Sequence, residues 1–201
     1  MTAQEDYFRS PELMNSSDTV LLVIDVQEKL LPQIAGRERM EWNIGRLMDA
    51  ADILGLPCLL TEQYPQGLGP MSELLRKRVH SEGLVFEKTA FSCCGSDSFR
   101  EQLTELNRTK VLVTGIESHI CVQQTVLDLL SDGYRVLGAV DAMGARDSLD
   151  HQTAIRRMES DGAVMTTTEA TIFEWCTTSK RKEFKQIQKL VLDEGPAARN
   201  V

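Results

Sequence analysis

KVLVTGIESHICVQQTVLDLLSDGYRVLGAV, Lys110 to Val140, reads as a strand, a sharp turn, a helix, a stop and a second strand. Lys110 to Thr114 and Arg135 to Val140 are short β-branched runs, apolar on both sides, as strands covered by helices on both faces must be. Between them Cys121, Val122, Thr125, Val126, Leu129 and Leu130 recur at helical spacing. Gly133 then falls where a left-handed cap closes a helix before the next strand.

The same alternation runs outward in both directions. Val20 to Val26, Pro57 to Thr61, Leu84 to Phe86 and Ala163 to Thr166 read as further strands. Trp42, Leu47, Met48, Ala51 and Leu54 form a helical stripe that stops at Gly55. Ser96 is the expected N-cap of a helix from Asp97 to Leu106, and Asp150 of one from Gln152 to Ser160. Repeated βα units of this kind predict an α/β fold with a parallel sheet. Ser179 to Leu192 reads as an amphipathic basic helix for docking or for a subunit contact, with Trp175 as a companion contact residue. No composition shift marks a linker in the 201 residues, so one domain is expected over 1–201, with an N-terminal extension at 1–17 and a C-terminal helix and tail at 179–201.

Composition narrows the function. With 42% hydrophobic residues the chain can build a full core, burying roughly 70% of its unfolded surface. A net charge of −8 with scattered Lys and Arg argues against nucleic acid and anionic membranes as partners. No apolar run approaches a membrane span and no signal-peptide pattern opens the chain, which makes the cytoplasm the expected location. Five cysteines, with Cys93 and Cys94 adjacent and no C-x-x-C pair, fit neither a disulfide framework nor a zinc knuckle. Reduced thiols are expected.

Ligands of open parallel sheets bind beyond the carboxyl ends of the strands, so polar residues just after strands come first. Asp25 ends LLVID, where partial burial would suit a base; its spacing to Glu28 equally fits a capping box, and the two readings stand level. Cys121 opens a helix, where the dipole would lower a thiol pKa; as part of the stripe with Thr125 and Leu129 it is equally one more small core residue. Lys88, in VFEKTAFS, is by itself a strand-end lysine, but beside a thiol and a carboxylate it would stabilise negative charge. His119 is expected to line a pocket or start the helix rather than pair with Cys121, because residues two apart on a helix do not face each other. His80 and His151 read as surface residues, and Cys58, Cys93, Cys94 and Cys176 as inert.

Taken together, VIDVQ, LTEQYPQGLGP, FEKTAFS and TGIESHICVQQT resemble the isochorismatase-like cysteine hydrolase superfamily, which includes nicotinamidases and carbamoylsarcosine amidohydrolase. LTEQYPQGLGP and FKQIQKLV are particularly similar to the isochorismatase domain-containing proteins of uncharacterised substrate. The resemblance implies a three-layer α/β/α fold with a six-stranded parallel sheet and an Asp–Lys–Cys triad at Asp25, Lys88 and Cys121. It also implies a cis peptide at Ile116–Glu117 that aims the N–H groups of Glu117 and Cys121 at an oxyanion. Gln27, Tyr64, Phe91, Glu117 and His119 become pocket candidates by position, although Tyr64 and Phe91 serve equally as core packing. Gln63-Tyr64-Pro65 stands where nicotinamidases carry a D-x-H metal motif, so neither a metal nor another cofactor is expected. Isochorismatase proper lacks the cysteine and cleaves a vinyl ether, so Cys121 points to acyl chemistry.

The expectation is a cysteine hydrolase of small amides or related acyl compounds, assembled as a dimer or larger homo-oligomer. The alternative from another class is a non-catalytic binding or assembly protein that keeps the fold. An aspartate phosphatase would need a second carboxylate at Gln27, and a dinucleotide oxidoreductase would need a G-x-G-x-x-G that the chain lacks.

Overall fold

The structure, a computed structural model, describes residues 8–80 and 84–196. Six strands form one sheet in the order β3-β2-β1-β4-β5-β6, and every neighbouring pair is parallel. They are β1 (Thr19–Ile24), β2 (Cys58–Gln63), β3 (Val85–Lys88), β4 (Lys110–Ile116), β5 (Arg135–Gly144) and β6 (Val164–Thr166). All six predicted strands are present. The boundaries differ mainly at the carboxyl ends, where β2, β3, β4 and β5 run on through Gln63, Lys88, Ile116 and Gly144.

Strand β1 shows why the apolar runs do not alternate with polar residues. Its six residues are all buried, yet they divide by parity between two cores. Leu21 and Val23 join Leu112 and Leu137 against α1 (Arg37–Leu54), α7 (Thr168–Cys176) and α8 (Phe184–Val191). Val20, Leu22 and Ile24 join Val111, Val113 and Val136 against α4 (Asp97–Glu105), α5 (Gln123–Ser131) and α6 (Ser148–Ser160). Period two survives as a choice between cores, not between core and water. Two short helices, α2 (Pro65–Leu68) and α3 (Glu73–Arg76), fill the β2–β3 connection.

Gly55 caps α1 with φ 71° and donates to Ala51 O and Asp52 O, the left-handed closure that the sequence signals. At α6 the cap moves. Asp147, not Asp150, accepts from Leu149 N at 2.7 Å and from Asp150 N at 3.4 Å, so the helix starts earlier than expected and Asp150 lies in its first turn. Ser96 precedes α4 as expected but makes no side-chain cap bond, its hydroxyl lying 3.2 Å from that of Ser98.

The tail helix is shorter than drawn and presses Ile187 into the core beside Phe184 and Leu190. Trp175 is 0% exposed, which removes it as a subunit contact: its indole belongs to the α1 side of the core. No helix among the described residues is long and apolar enough to cross a membrane.

The sheet order reverses between β1 and β4, so the chain leaves their carboxyl ends in opposite directions and opens a crevice there. The two strands meet closely at that point. Gly115 has φ 130°, and a Cβ on it would sit 2.2 Å from Ile24 O, so a side chain would force the strands apart. Asp25 follows Ile24, and the Cys121 turn follows β4, both at this crevice.

Candidate active site

Asp25 leaves β1 with φ 55° and is 1% exposed. An aspartate tolerates that backbone better than a branched residue, but buried it must find partners. Thr61, on neighbouring β2, donates its hydroxyl to Oδ1 at 2.7 Å, and the Lys88 ammonium donates to Oδ2 at 2.7 Å. The carboxylate caps no helix, which removes the capping-box reading.

Lys88 ends β3 and its side chain is 1% exposed, as is that of Asp25. Its Nζ also lies 2.7 Å from Gln63 Oε1, 2.9 Å from Phe91 O and 3.2 Å from Ala90 O. An ammonium has three protons, and here it meets four acceptors. Gln63 in turn spends its Nε2 on Thr89 O at 2.8 Å, so the position that carries a carboxylate in the metal-binding motif braces the lysine instead. Among the described residues no cluster of three or more His, Cys, Asp or Glu side chains is arranged to hold a metal.

Cys121 lies in a π turn, Ser118–Val122, between β4 and α5. The expected cis bond is not there. Ile116–Glu117 is trans, and the chain reverses instead by placing Glu117 at φ 54° after Gly115 at φ 130°. Glu117 is 6% exposed and its N–H has no acceptor among the described residues, while the next bond of the turn runs from Ile120 N to Glu117 O at 2.8 Å. Thr125 ties the turn to the neighbouring loop, donating to Cys121 O at 2.7 Å and accepting from Cys93 N at 2.9 Å.

The Cys121 thiol is pushed up well above its ordinary range, first by burial and then by the charge of Asp25, with Lys88 pulling the other way. That reverses the expectation of a dipole-activated thiolate. The resting group is a neutral thiol with a carboxylate beside it. Cys93 is similarly raised, to about 12, chiefly by burial. Its sulfur lies 3.7 Å from Thr61 Oγ1, on the same hydroxyl that holds Asp25.

Asp25, Gln63, Glu117 and Cys121 share a cavity of about 200 Å³, with Leu30, Leu68, Phe91, Ile116 and Ile120 as apolar wall and Gln33 and Arg146 as further polar lining. Of the pocket candidates, Glu117 and Phe91 line it. Phe91 is 55% exposed and so forms an outer wall, not core. Tyr64, equally exposed, faces a separate hollow beside Glu87 and Thr89. Gln27 is 0% exposed and is a clamp, not a pocket residue: its Nε2 donates to Gln63 O at 3.0 Å and Gly69 O at 2.6 Å, and its Oε1 accepts from Gln63 N at 2.8 Å. His119 sits behind the cavity wall, 3.6 Å from Glu117 Oε2 and 3.6 Å from Asp150 Oδ2.

His151 is only partly at the surface: it is half-buried, its Nδ1 lies 3.0 Å from the buried Ser118 hydroxyl, and burial lowers its pKa. Thr61 and Arg146 escaped the sequence reading, and Gln63 entered it only as the residue standing where a metal motif would begin. Thr61 and Gln63 lie two apart, on one face, in the polar run Thr61-Glu62-Gln63 that closes β2, and such a run at the carboxyl end of an otherwise apolar strand is the signal that was available.

The isochorismatase domain model matches residues 19–170. Isochorismatase domain-containing protein 2 of Danio rerio is 35% identical over 91% of this chain and 91% of its own length. The Homo sapiens protein of the same name is 36% identical over 89% of this chain and 85% of its own. Among solved structures, MAR1 ribonuclease from Caenorhabditis elegans superposes with a TM-score of 0.87 at 38% identity, covering 94% of this chain and 97% of that one. YcaC from Escherichia coli, described as an octameric hydrolase of unknown specificity, shares the fold with a TM-score of 0.84 at 18% identity, over 92% of this chain and 93% of that one.

Proposed function

The chain belongs to the isochorismatase domain family, and from that premise we propose that it is a cysteine hydrolase cleaving a small amide or related acyl compound through a thioester, without a metal. The observation that carries this reading is the meeting of Cys121 and Asp25 on the wall of one cavity, with Lys88 bonded to the carboxylate from behind. Asp25 takes the proton of Cys121 as the sulfur attacks the carbonyl carbon. The leaving nitrogen collects that proton when the C–N bond breaks. A water molecule then gives a proton to Asp25, attacks the thioester carbonyl and releases the acid, and the proton returns to the sulfur.

A base is needed at the first step because the thiol is held neutral. Lys88, its protons already engaged, acts by holding Asp25 and balancing its charge, not by touching the substrate. Glu117 and Cys121 both line the cavity, and the Glu117 N–H, without an acceptor among the described residues, serves as donor to a developing oxyanion, with the Cys121 N–H as its partner. The absence of a metal in the mechanism is supported by Gln63, whose amide is committed to Lys88 and Thr89.

The test is a library of small amides incubated with wild type and with Cys121→Ala. Turnover by wild type alone is expected; equal turnover by the variant removes the nucleophile. A binding or assembly protein that keeps the fold would turn over none of the library. The name of the Caenorhabditis elegans relative raises ribonuclease activity as a second reading. Against it stand the net charge of −8 and a cavity of about 200 Å³, below the roughly 300–1,000 Å³ of pockets for larger ligands. Cleavage of a labelled RNA by wild type and not by Cys121→Ala would favour that second reading.

A further inference from the structure

We propose that Arg146 binds an anionic group of the substrate, so that the substrate class is a small amide with a short apolar body and a carboxylate at its other end. The proposal rests on the hydrolase reading above in placing the reacting carbonyl at Cys121.

The charges around the cavity point to Arg146. The Asp25 charge is balanced by Lys88, and the Lys88 ammonium meets four acceptors, so neither offers an unpaired charge to a ligand. Glu117 turns Oε1 to Arg146 Nε at 2.6 Å, while its Oε2 is buried against His119 and out of reach of solvent. A cationic ligand therefore finds no carboxylate on this wall without its own cation. Arg146 differs. It is half-exposed, lines the cavity, and beyond the Glu117 contact makes no hydrogen bond among the described residues.

A guanidinium has five N–H donors in a planar fork, and a single engaged Nε leaves the paired terminal nitrogens for the bidentate geometry that suits a carboxylate. Glu117 fixes the fork by its Nε side. Because each acid on the wall already has its own cation, an incoming anion meets no net repulsion. Apart from the neutral amides of Gln33 and Gln63, the rest of the lining is apolar: Leu30, Leu68, Phe91, Ile116 and Ile120. Those side chains call for a carbon body between the two polar ends of the ligand.

Alkylation of Cys121 tests this without knowledge of the natural substrate. Iodoacetate and iodoacetylglycine carry the anion at two distances from the reacting carbon, and iodoacetamide and iodoacetylglycine amide are their neutral partners. Rates at Cys121 are read by peptide mass spectrometry, and the quantity of interest is the anionic-to-neutral ratio for each pair. In Arg146→Met the ratio should fall about tenfold or more for at least one pair. Arg146→Lys should restore part of it, and Arg156→Met, which removes a charge from the exposed face of α6, should leave it within twofold. A ratio that Arg146→Met does not change for either pair, or that Arg156→Met lowers equally, overturns the proposal while leaving the cysteine reading intact. Failure of all four reagents to modify Cys121 overturns both.

Discussion

Replacing Lys88 with methionine removes the ammonium from a buried ion pair and keeps most of the side-chain volume. In the native protein both partners are 1% exposed, and Nζ bonds Asp25 Oδ2 at 2.7 Å, Gln63 Oε1 at 2.7 Å and Phe91 O at 2.9 Å. The variant leaves a buried carboxylate with the Thr61 hydroxyl as its remaining side-chain donor, and it orphans the amide oxygen of Gln63 and the carbonyl of Phe91. Breaking a buried pair from one side costs about 3–5 kcal/mol, because the surviving charge stays desolvated. Set against a total stability of roughly 5–15 kcal/mol for a protein of this kind, the loss is readily measured. Urea unfolding at neutral pH should show it as a lower midpoint with an unchanged slope. The double variant Asp25→Asn with Lys88→Met carries no unpaired charge and should recover about half of the loss, even where the single variant is too unstable to purify. A loss below about 1 kcal/mol, or a double variant no better than the single one, would refute the claim that Lys88 serves chiefly to compensate Asp25.

Burial pushes Cys58 and Cys93 up to about 12. Above about pH 9 unfolded thiols release protons that the folded ones retain, so stability should fall with rising pH, by roughly 3 kcal/mol for the two together at pH 10; a flat unfolding profile between pH 8 and 10 would contradict this. Gly115→Ala should cost at least ~3 kcal/mol in thermal unfolding, since it adds a Cβ 2.2 Å from Ile24 O at φ 130°, and near-native stability would mean that β1 and β4 are not in close contact there. Asp147→Ala should cost about 1 kcal/mol as loss of the α6 cap while Asp150→Ala stays within about 0.5 kcal/mol. The reverse ranking would return the cap to Asp150.

Much of the fold was legible because the inner strands β1 and β4 are buried on both faces and so write themselves as apolar runs. The carboxyl ends were not. Gln63 and Lys88 extend their strands as polar residues bonded to each other, and Gly115 and Gly144 interrupt the apolar runs where Ile24 O and the Met40 side chain of α1 come too close for a side chain. Asp25, Lys88 and Cys121 stood out as polar residues just after strands and were joined by the family resemblance, although only contacts between strands reveal the Thr61 and Gln63 bonds that hold Asp25 and Lys88. The helix-dipole argument for Cys121 failed for a related reason. A dipole acts along one element, whereas burial and the Asp25 charge come from others. Trp175 misled as a large aromatic near the chain end, where proximity to the terminus says nothing about which core receives the ring.

The Gln27 clamp has a consequence for how a ligand is received. By bonding Gln63 N, Gln63 O and Gly69 O, a single side-chain amide spans the end of β2 and the loop that follows Leu68, in the place where another strand's backbone would otherwise run. That side of the cavity is therefore preorganised, and binding against it incurs little ordering entropy. The half-exposed rim residues are held at one point each, Phe91 through its carbonyl by Lys88 and Arg146 through Nε by Glu117. Selectivity exercised by rearrangement thus falls to the rim, and selectivity by fixed shape to the clamped wall.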